Sequence, residues 1–482
     1  MASFFVPVTF SKTTQGAFAS MTMTAVSTRR RLETSLSTTG HTGASTRLRP
    51  PFGSALLLIG MAAHQPAAHA ADPLSNLPFN IAGGTPNLDV RVRYEHVEVD
   101  GPLAAPITED EADAFTARAR LGYTTGKWNE LDGQLEFEGL TSIGNTEHYN
   151  SIENGQSQYP VVADADVNEI NQAWLRYSGL PKTQIKYGRQ RILLDNQRFV
   201  GNVGWRQNEM TYDAALLTST FIPRTTFTYA FLNNVNSFKS FNFAPAGQPP
   251  QIDDNLDIKA HLANAQVAVI DKKLVVTAYG YLLDFDEIPP GAPAARLLAD
   301  TRTIGARIAG AIPVQAFTVG YALEYADQQE YEDSTDIVDA AYSLIEASLG
   351  YGKFKGTVGY EVLEGDGTTY SFQTPLSTAH AHGGWADQFL ITPVGGLERT
   401  YLSATATLGK AGLTAVYHQF ESESDNLDYG DEIDLLASYA VMDNFVLYAK
   451  YADYHADDFP VAGTPAQSVD TEKMWVYAEY KF

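Results

Sequence analysis

Residues 113–125 read DAFTARARLGYTT. Phe115, Ala117, Ala119, Leu121 and Tyr123 share one parity, and Thr116, Arg118, Arg120 and Gly122 share the other. Successive side chains of a strand point to opposite faces, so this stretch is a strand with one apolar face and one charged or small face. The pattern recurs on both sides. Upstream, Val90, Val92 and Tyr94 alternate with Arg91, Arg93 and Glu95. Downstream, Thr225, Phe227, Tyr229 and Phe231 share a parity, as do Phe317, Val319, Tyr321, Leu323 and Tyr325. No comparable helical period interrupts these segments. Most run to about 9–13 residues, longer than soluble strands and long enough to cross a bilayer when tilted.

Eighteen such segments follow one another, from 88–98 to 471–482. The connections between them alternate in length. Short ones hold turn residues, among them Gly179-Leu180-Pro181-Lys182, Asp271-Lys272, Tyr351-Gly352 and Gly409-Lys410; long polar ones occupy 99–112, 143–167, 191–208, 234–258, 286–298, 365–397 and 455–470. Short turns at one end and long loops at the other describe a transmembrane antiparallel β-barrel with periplasmic turns and extracellular loops. A sheet in hydrocarbon must close on itself, because each unpaired backbone group costs several kcal/mol there. The last segment places Met474, Val476, Ala478, Tyr480 and Phe482 on one face and ends at that Phe. It resembles the signal by which barrel-assembly machinery recognises its clients.

Composition agrees with this reading. Tyr (26), Phe (24) and Gly (38) are plentiful, charged residues make up only 19 %, and the net charge is nevertheless −24. The absence of Cys excludes a disulfide framework and thiolate chemistry. Ahead of the barrel, Arg47-Leu48-Arg49-Pro50 precedes an apolar run from Phe52 to Met61, and Ala68-His69-Ala70 supplies a small-x-small cleavage site. These are the parts of a secretory signal. The expected organisation is a leader over 1–70 cleaved after Ala70, a short periplasmic segment over 71–87, and the barrel over 88–482. The expected location is a Gram-negative outer membrane, in contact with lipid and lipopolysaccharide.

With the apolar parity towards lipid, the other parity lines the lumen. That set includes Arg91, Arg93, Arg118, Arg120, Arg176 and Lys186, joined by Glu136 and Glu138. A row of Arg and Lys selects anions; the same row also fits a scaffold in which Arg pairs with Glu across strands, and both readings stay open here. The densest signal runs from Tyr187-Gly188-Arg189-Gln190-Arg191 through Asn196-Gln197-Arg198-Phe199-Val200-Gly201 to Trp205-Arg206-Gln207-Asn208-Glu209-Met210-Thr211-Tyr212-Asp213. Its middle is a loop by position, yet it combines Leu, Ile, Phe and Trp with Arg. That mixture fits a loop folded into the lumen, with Arg189, Arg191, Arg198 and Arg206 at a constriction and Asp195 and Glu209 orienting them. The alternative is packing over the mouth or against a neighbouring protomer.

In this stretch the sequence resembles the alginate-export family of outer-membrane porins, through Gly-Arg-Gln-Arg at 188–191, Asn-Gln-Arg-Phe-Val-Gly at 196–201 and Trp-Arg-Gln-Asn-Glu-Met-Thr-Tyr-Asp-Ala at 205–214. The resemblance implies an eighteen-stranded monomeric barrel with an Arg-rich constriction passing acidic polysaccharide or smaller anions. Three functions follow: a porin for small hydrophilic, anionic solutes; a dedicated export channel for an acidic polysaccharide such as alginate; and a non-conducting barrel acting as receptor or adhesin. No nucleophile–base pair at triad spacing emerges around His418 or His455, so no enzymatic activity is expected. His380 and His382 read as exposed loop residues. No metal site or other cofactor is expected, and so acidic a chain is a poor nucleic-acid binder.

Overall fold

The computed structural model describes residues 83–101, 106–144, 147–237, 255–286, 296–332, 337–424, 427–457 and 469–482. The expected leader lies outside them. The described chain forms eighteen strands. They are β1 (Thr85–Asp100), β2 (Glu111–Thr124), β3 (Leu131–Ser142), β4 (Val167–Leu180), β5 (Thr183–Gln190) and β6 (Thr211–Ser219). There follow β7 (Thr225–Asn236), β8 (Asn255–Ile270), β9 (Leu274–Phe285), β10 (Thr301–Val314), β11 (Phe317–Glu330) and β12 (Asp339–Tyr351). The last six are β13 (Phe354–Leu363), β14 (Leu397–Leu408), β15 (Ala411–Glu421), β16 (Asp428–Met442), β17 (Phe445–Ala456) and β18 (Asp470–Lys481).

Each strand pairs antiparallel with its neighbours in sequence, and β1 pairs with both β2 and β18, so the sheet closes. The seam runs from Asp89 opposite Lys481 to Asp100 opposite Asp470. Leu88 and Phe482 exchange backbone hydrogen bonds of 3.0 and 2.8 Å, so the terminal residue belongs to the ladder. The first strand starts at Thr85 rather than 88, because Pro86 and Asn87 already lie opposite Tyr123 and Gly122. No helix among the described residues is long and apolar enough to cross a membrane.

The parity of each strand fixes its two environments. Leu121, Leu175 and Tyr187 point outward and are exposed by 60 %, 64 % and 68 %. In water so many bare apolar side chains would be untenable, whereas lipid accepts them. On the opposite parity, Arg91, Arg93, Arg118, Arg120, Glu136 and Glu138 are buried inside the barrel. The start of β1, the end of β18 and the short turns share one end. The long loops leave from the other, and three of them occupy the interior.

Candidate functional site

The segment 191–210, between β5 and β6, turns into the lumen. Its entrance depends on Gly188, whose φ of +120° and whose distance from the Ala173 carbonyl leave no room for a Cβ. Inside, Phe199 packs edge-on against Tyr342 of β12 and Phe372, with ring centroids 5.2 and 5.9 Å away, and tilts against Tyr279 of β9. Arg198 reaches across to Glu361 of β13, with Nε 2.7 Å from the carboxylate, and to Thr374 at 3.0 Å. The loop therefore touches walls far from its own strands and reaches across the lumen.

The arginine rows of β1 and β2 hold its far end. Arg91 donates to the carbonyls of Trp205 (3.0 Å) and Arg206 (2.9 Å), and Arg93 donates to that of Trp205. Arg118 and Arg120 both donate to the Gln207 carbonyl, at 3.2 Å each. Backbone carbonyls are neutral, so the guanidinium charges are balanced elsewhere: Arg91 by Glu479, Arg93 by Glu95 and Asp164, Arg118 by Asp89, Arg120 by Glu138 and Glu209. Arg91, Arg118 and Arg120 thus each pair with an acid on a neighbouring strand, whereas Arg93 pairs with Glu95 of its own strand and with Asp164 of a loop.

The long loop 364–396, between β13 and β14, enters as well and locks onto the first. Thr378 accepts from Val203 N through its hydroxyl (3.2 Å) and donates from its backbone N to Gln197 O (3.1 Å). Gly201 sits so close to the Thr378 hydroxyl that a Cβ there would collide with it. Asp387 is the hub. Its carboxylate meets Arg206 (3.2 Å), Lys473 (3.1 Å) and His380 (2.6 Å). His380 is buried rather than exposed, because its ring stacks on Trp205 at 3.4 Å between centroids. Lys450 of β17 lies over Trp385, Trp475 and Trp205, with its Nζ 3.9, 4.9 and 5.3 Å from the ring centres. Residues 149–165 add a third inward piece, with Tyr149 and Val162 buried beside Val97, Ala112 and Ala114.

The expected constriction residues divide into groups. Arg198 and Arg206 are buried and acid-paired, Arg206 with Glu95 (3.3 Å) and Asp387. Arg191 pairs with Glu209 and Glu136 and stays partly open to the lumen. Glu209 thus orients Arg191 and Arg120. Asp195 instead accepts from Asn264 of β8 at 2.7 Å and has no arginine bonded to it among the described residues. Arg189 stands apart from the group with which the sequence had placed it. Strand β5 puts it on the outward parity with Ile185 and Tyr187, where it pairs with Asp213 at 2.9 Å. Arg176 and Lys186 project inward beside Trp174. Sequence reasoning missed Glu361, Asp387, Lys450, Lys473 and the tryptophans around them. For Lys473 and Trp475 the signal was present, since both fall on the inward parity of β18.

Burial pushes the Glu209 carboxyl up, but Arg120 and Arg191 outweigh it and hold it down at about 2. Asp387 is likewise penalised by burial, yet Lys473, His380 and Arg206 keep it well below the carboxylate range. Burial, with Lys450 and Arg206 nearby, lowers His380 against the pull of Asp387. All three groups bind protons less readily folded than unfolded, so their contribution is full above the unfolded values and is lost on acidification. Amide exchange in 196–206, corrected for intrinsic rates, is expected to stay slow above about pH 6.5, rise below it, and rise steeply below about pH 4. Protection unchanged down to pH 3 would contradict this.

The family model described as alginate export matches residues 126–342, which include the inward loop. No curated protein matches the chain. Among solved structures, OpdL of Pseudomonas aeruginosa is 18% identical, with 83% of this chain and 99% of that one covered and a TM-score of 0.57. OccK9 (OpdG) of Pseudomonas aeruginosa is 14% identical over 84% and 99%, with a TM-score of 0.60. A BenF-like porin from Pseudomonas fluorescens Pf-5 is 13% identical over 84% and 100%, also at 0.60. The chain carries the alginate-export family's sequence pattern over 126–342, on the closed eighteen-stranded fold of the outer-membrane porins.

Proposed function

We propose that the protein passes small hydrophilic solutes passively across the outer membrane, with a preference for anions, through a constriction made by the loop 191–210. The observation that carries this reading is the loop itself, drawn into the lumen and lined on its open side by Arg191, with Arg176 and Lys186 on the adjacent wall. Fixed cations in a narrow, low-dielectric passage raise the local anion concentration and replace part of the lost hydration. Arg198, Arg206, Arg91, Arg93, Arg118 and Arg120 set the position of the loop, with Glu136, Glu138 and Glu209 behind them. The likeness to porins supports this reading, and OpdK of Pseudomonas aeruginosa has been crystallised with vanillate.

Lipid and lipopolysaccharide would surround the outward apolar faces, and the exposed Phe482 would serve barrel assembly. The family match favours a second reading, export of an acidic polysaccharide. Single-channel recording in planar bilayers under a KCl gradient tests the first. Discrete steps with an anion-selective reversal potential are expected. A silent bilayer would favour a receptor or adhesin. Current blocked in long, voltage-driven events by uronate oligomers, from the side of the short turns, would favour export.

A further inference from the structure

The wall formed by β3, β4 and β5 is built in two layers. Asp132, Glu136 and Glu209 are almost fully covered, with side chains exposed by only 2–3 %, whereas their partners Arg176 and Arg191 are exposed by 29 % and 30 %. The acids lie behind and the guanidinium groups face the lumen. A solute in the passage meets the cations first, even though the pairs are neutral overall.

Lys186 breaks the neutrality. It faces inward on β5 directly opposite Arg176 on β4, a cross-strand pair of like charges. Such pairs weaken a sheet. Asp132 compensates Arg176 through a bidentate contact, with Nε 3.0 Å from the carboxylate. Lys186 has no hydrogen bond or ion pair among the described residues; its ammonium rests over the Trp174 ring, 4.6 Å from the centre. Trp174 is therefore flanked by two cations, with Arg176 at 5.4 Å. Apart from the Trp174 ring, nothing in the packing calls for a positive charge at 186, and Gln would fill much the same space.

We infer that Lys186 sets the sign of ion selectivity along this wall, as a lumen cation with no acid partner of its own, while the paired arginines chiefly shape the passage. This rests on the porin reading and sharpens it. An anion moving past Arg191 would exchange part of its hydration for the Lys186 ammonium, with Arg176 beside it. A cation would face the same group, whose neighbouring acid Asp132 is covered and already paired with Arg176.

The test is the reversal potential of protein extracted from outer membranes, measured in a KCl gradient centred near 0.1 M, where charge is screened over about 10 Å. The variants are Lys186→Gln, Lys186→Glu and Lys186→Arg, with heat-modifiable mobility on gels confirming a closed barrel. The Gln variant should lower the anion-to-cation permeability ratio by about two-fold or more, and the Glu variant should bring it to unity or reverse it. Arg should retain wild-type selectivity, and all differences should shrink at 1 M salt. If Gln and Glu both conduct with the wild-type reversal potential, the inference is wrong while the porin reading stands. If the wild type itself is silent, both fall.

Discussion

Arg206→Ala is expected to loosen the constriction and raise single-channel conductance. The side chain is buried between Glu95 and Asp387, whose carboxylates it contacts at 3.3 and 3.2 Å. Truncating it removes the cation the two acids share and leaves Glu95 to the more distant Arg93 and Asp387 to Lys473 and His380. Removing one member of a buried ion pair costs about 3–5 kcal/mol where the other charge is left unpaired, and the remaining partners of Glu95 and Asp387 put this variant below that range. That cost falls on the joint between the loops 191–210 and 364–396, since Glu95 belongs to β1 and Asp387 to the second loop. The barrel ladder does not depend on it. The expected record is a larger and noisier current, with the melting of the barrel lowered only modestly. Unchanged conductance with unchanged noise would show that the joint is not what holds the passage narrow.

Glu361→Ala should have an effect in the same direction at the opposite wall. Glu361 receives Arg198 at 2.7 Å and Arg399 at 2.9 Å, and accepts from the Tyr342 hydroxyl at 2.9 Å. Its loss leaves two buried guanidinium groups sharing one space, an arrangement about 3–5 kcal/mol worse. Arg198 is on the loop whereas Arg399 is held in the β14 ladder, so Arg198 should be the one to withdraw, taking Phe199 out of its contacts with Tyr279 and Tyr342. Conductance should rise, and the anion preference should rise with it, because an acid is lost and two cations are freed. Glu361→Gln, which keeps the shape and one acceptor, should show a smaller change. A fall in conductance in the Ala variant would count against this account.

These two sites also mark the limit of what the sequence discloses. The barrel was legible because each strand is two-faced, so period two survives in the residues themselves, as in Phe115 to Tyr123. The inward course of 191–210 was legible because Leu, Ile, Phe and Trp among arginines do not suit an exterior loop. Which acid meets which arginine was not. Glu361 lies 163 residues from Arg198 and Asp387 lies 181 from Arg206, and only closure of the barrel brings them together. The burial of His380 depends on Trp205 in another loop, so its own surroundings of Thr, Ala and Gly gave no sign of it. Arg189 could have been separated by strict parity counting. It follows Ile185 and Tyr187 at intervals of two and therefore faces away from Lys186.

The parities also explain why a charged lumen can be built from an acidic chain. Arg91, Arg93, Arg118 and Arg120 lie on two adjacent strands and would repel one another if left alone. Interleaved acids and the carbonyls of residues 204–207 absorb that repulsion. The same contacts fix the loop, so charge balance and pore geometry are set by one arrangement.

The proposed function requires residues 191–210 to lie in the conducting path. The chain has no cysteine, so Asn196→Cys introduces a single thiol at an exposed position of that loop. A bulky, charged methanethiosulfonate added to an open channel of this variant should reduce the current in one irreversible step, and leave wild type unaffected. Complete modification, verified by mass, with the current unchanged would place the loop outside the path and contradict the account.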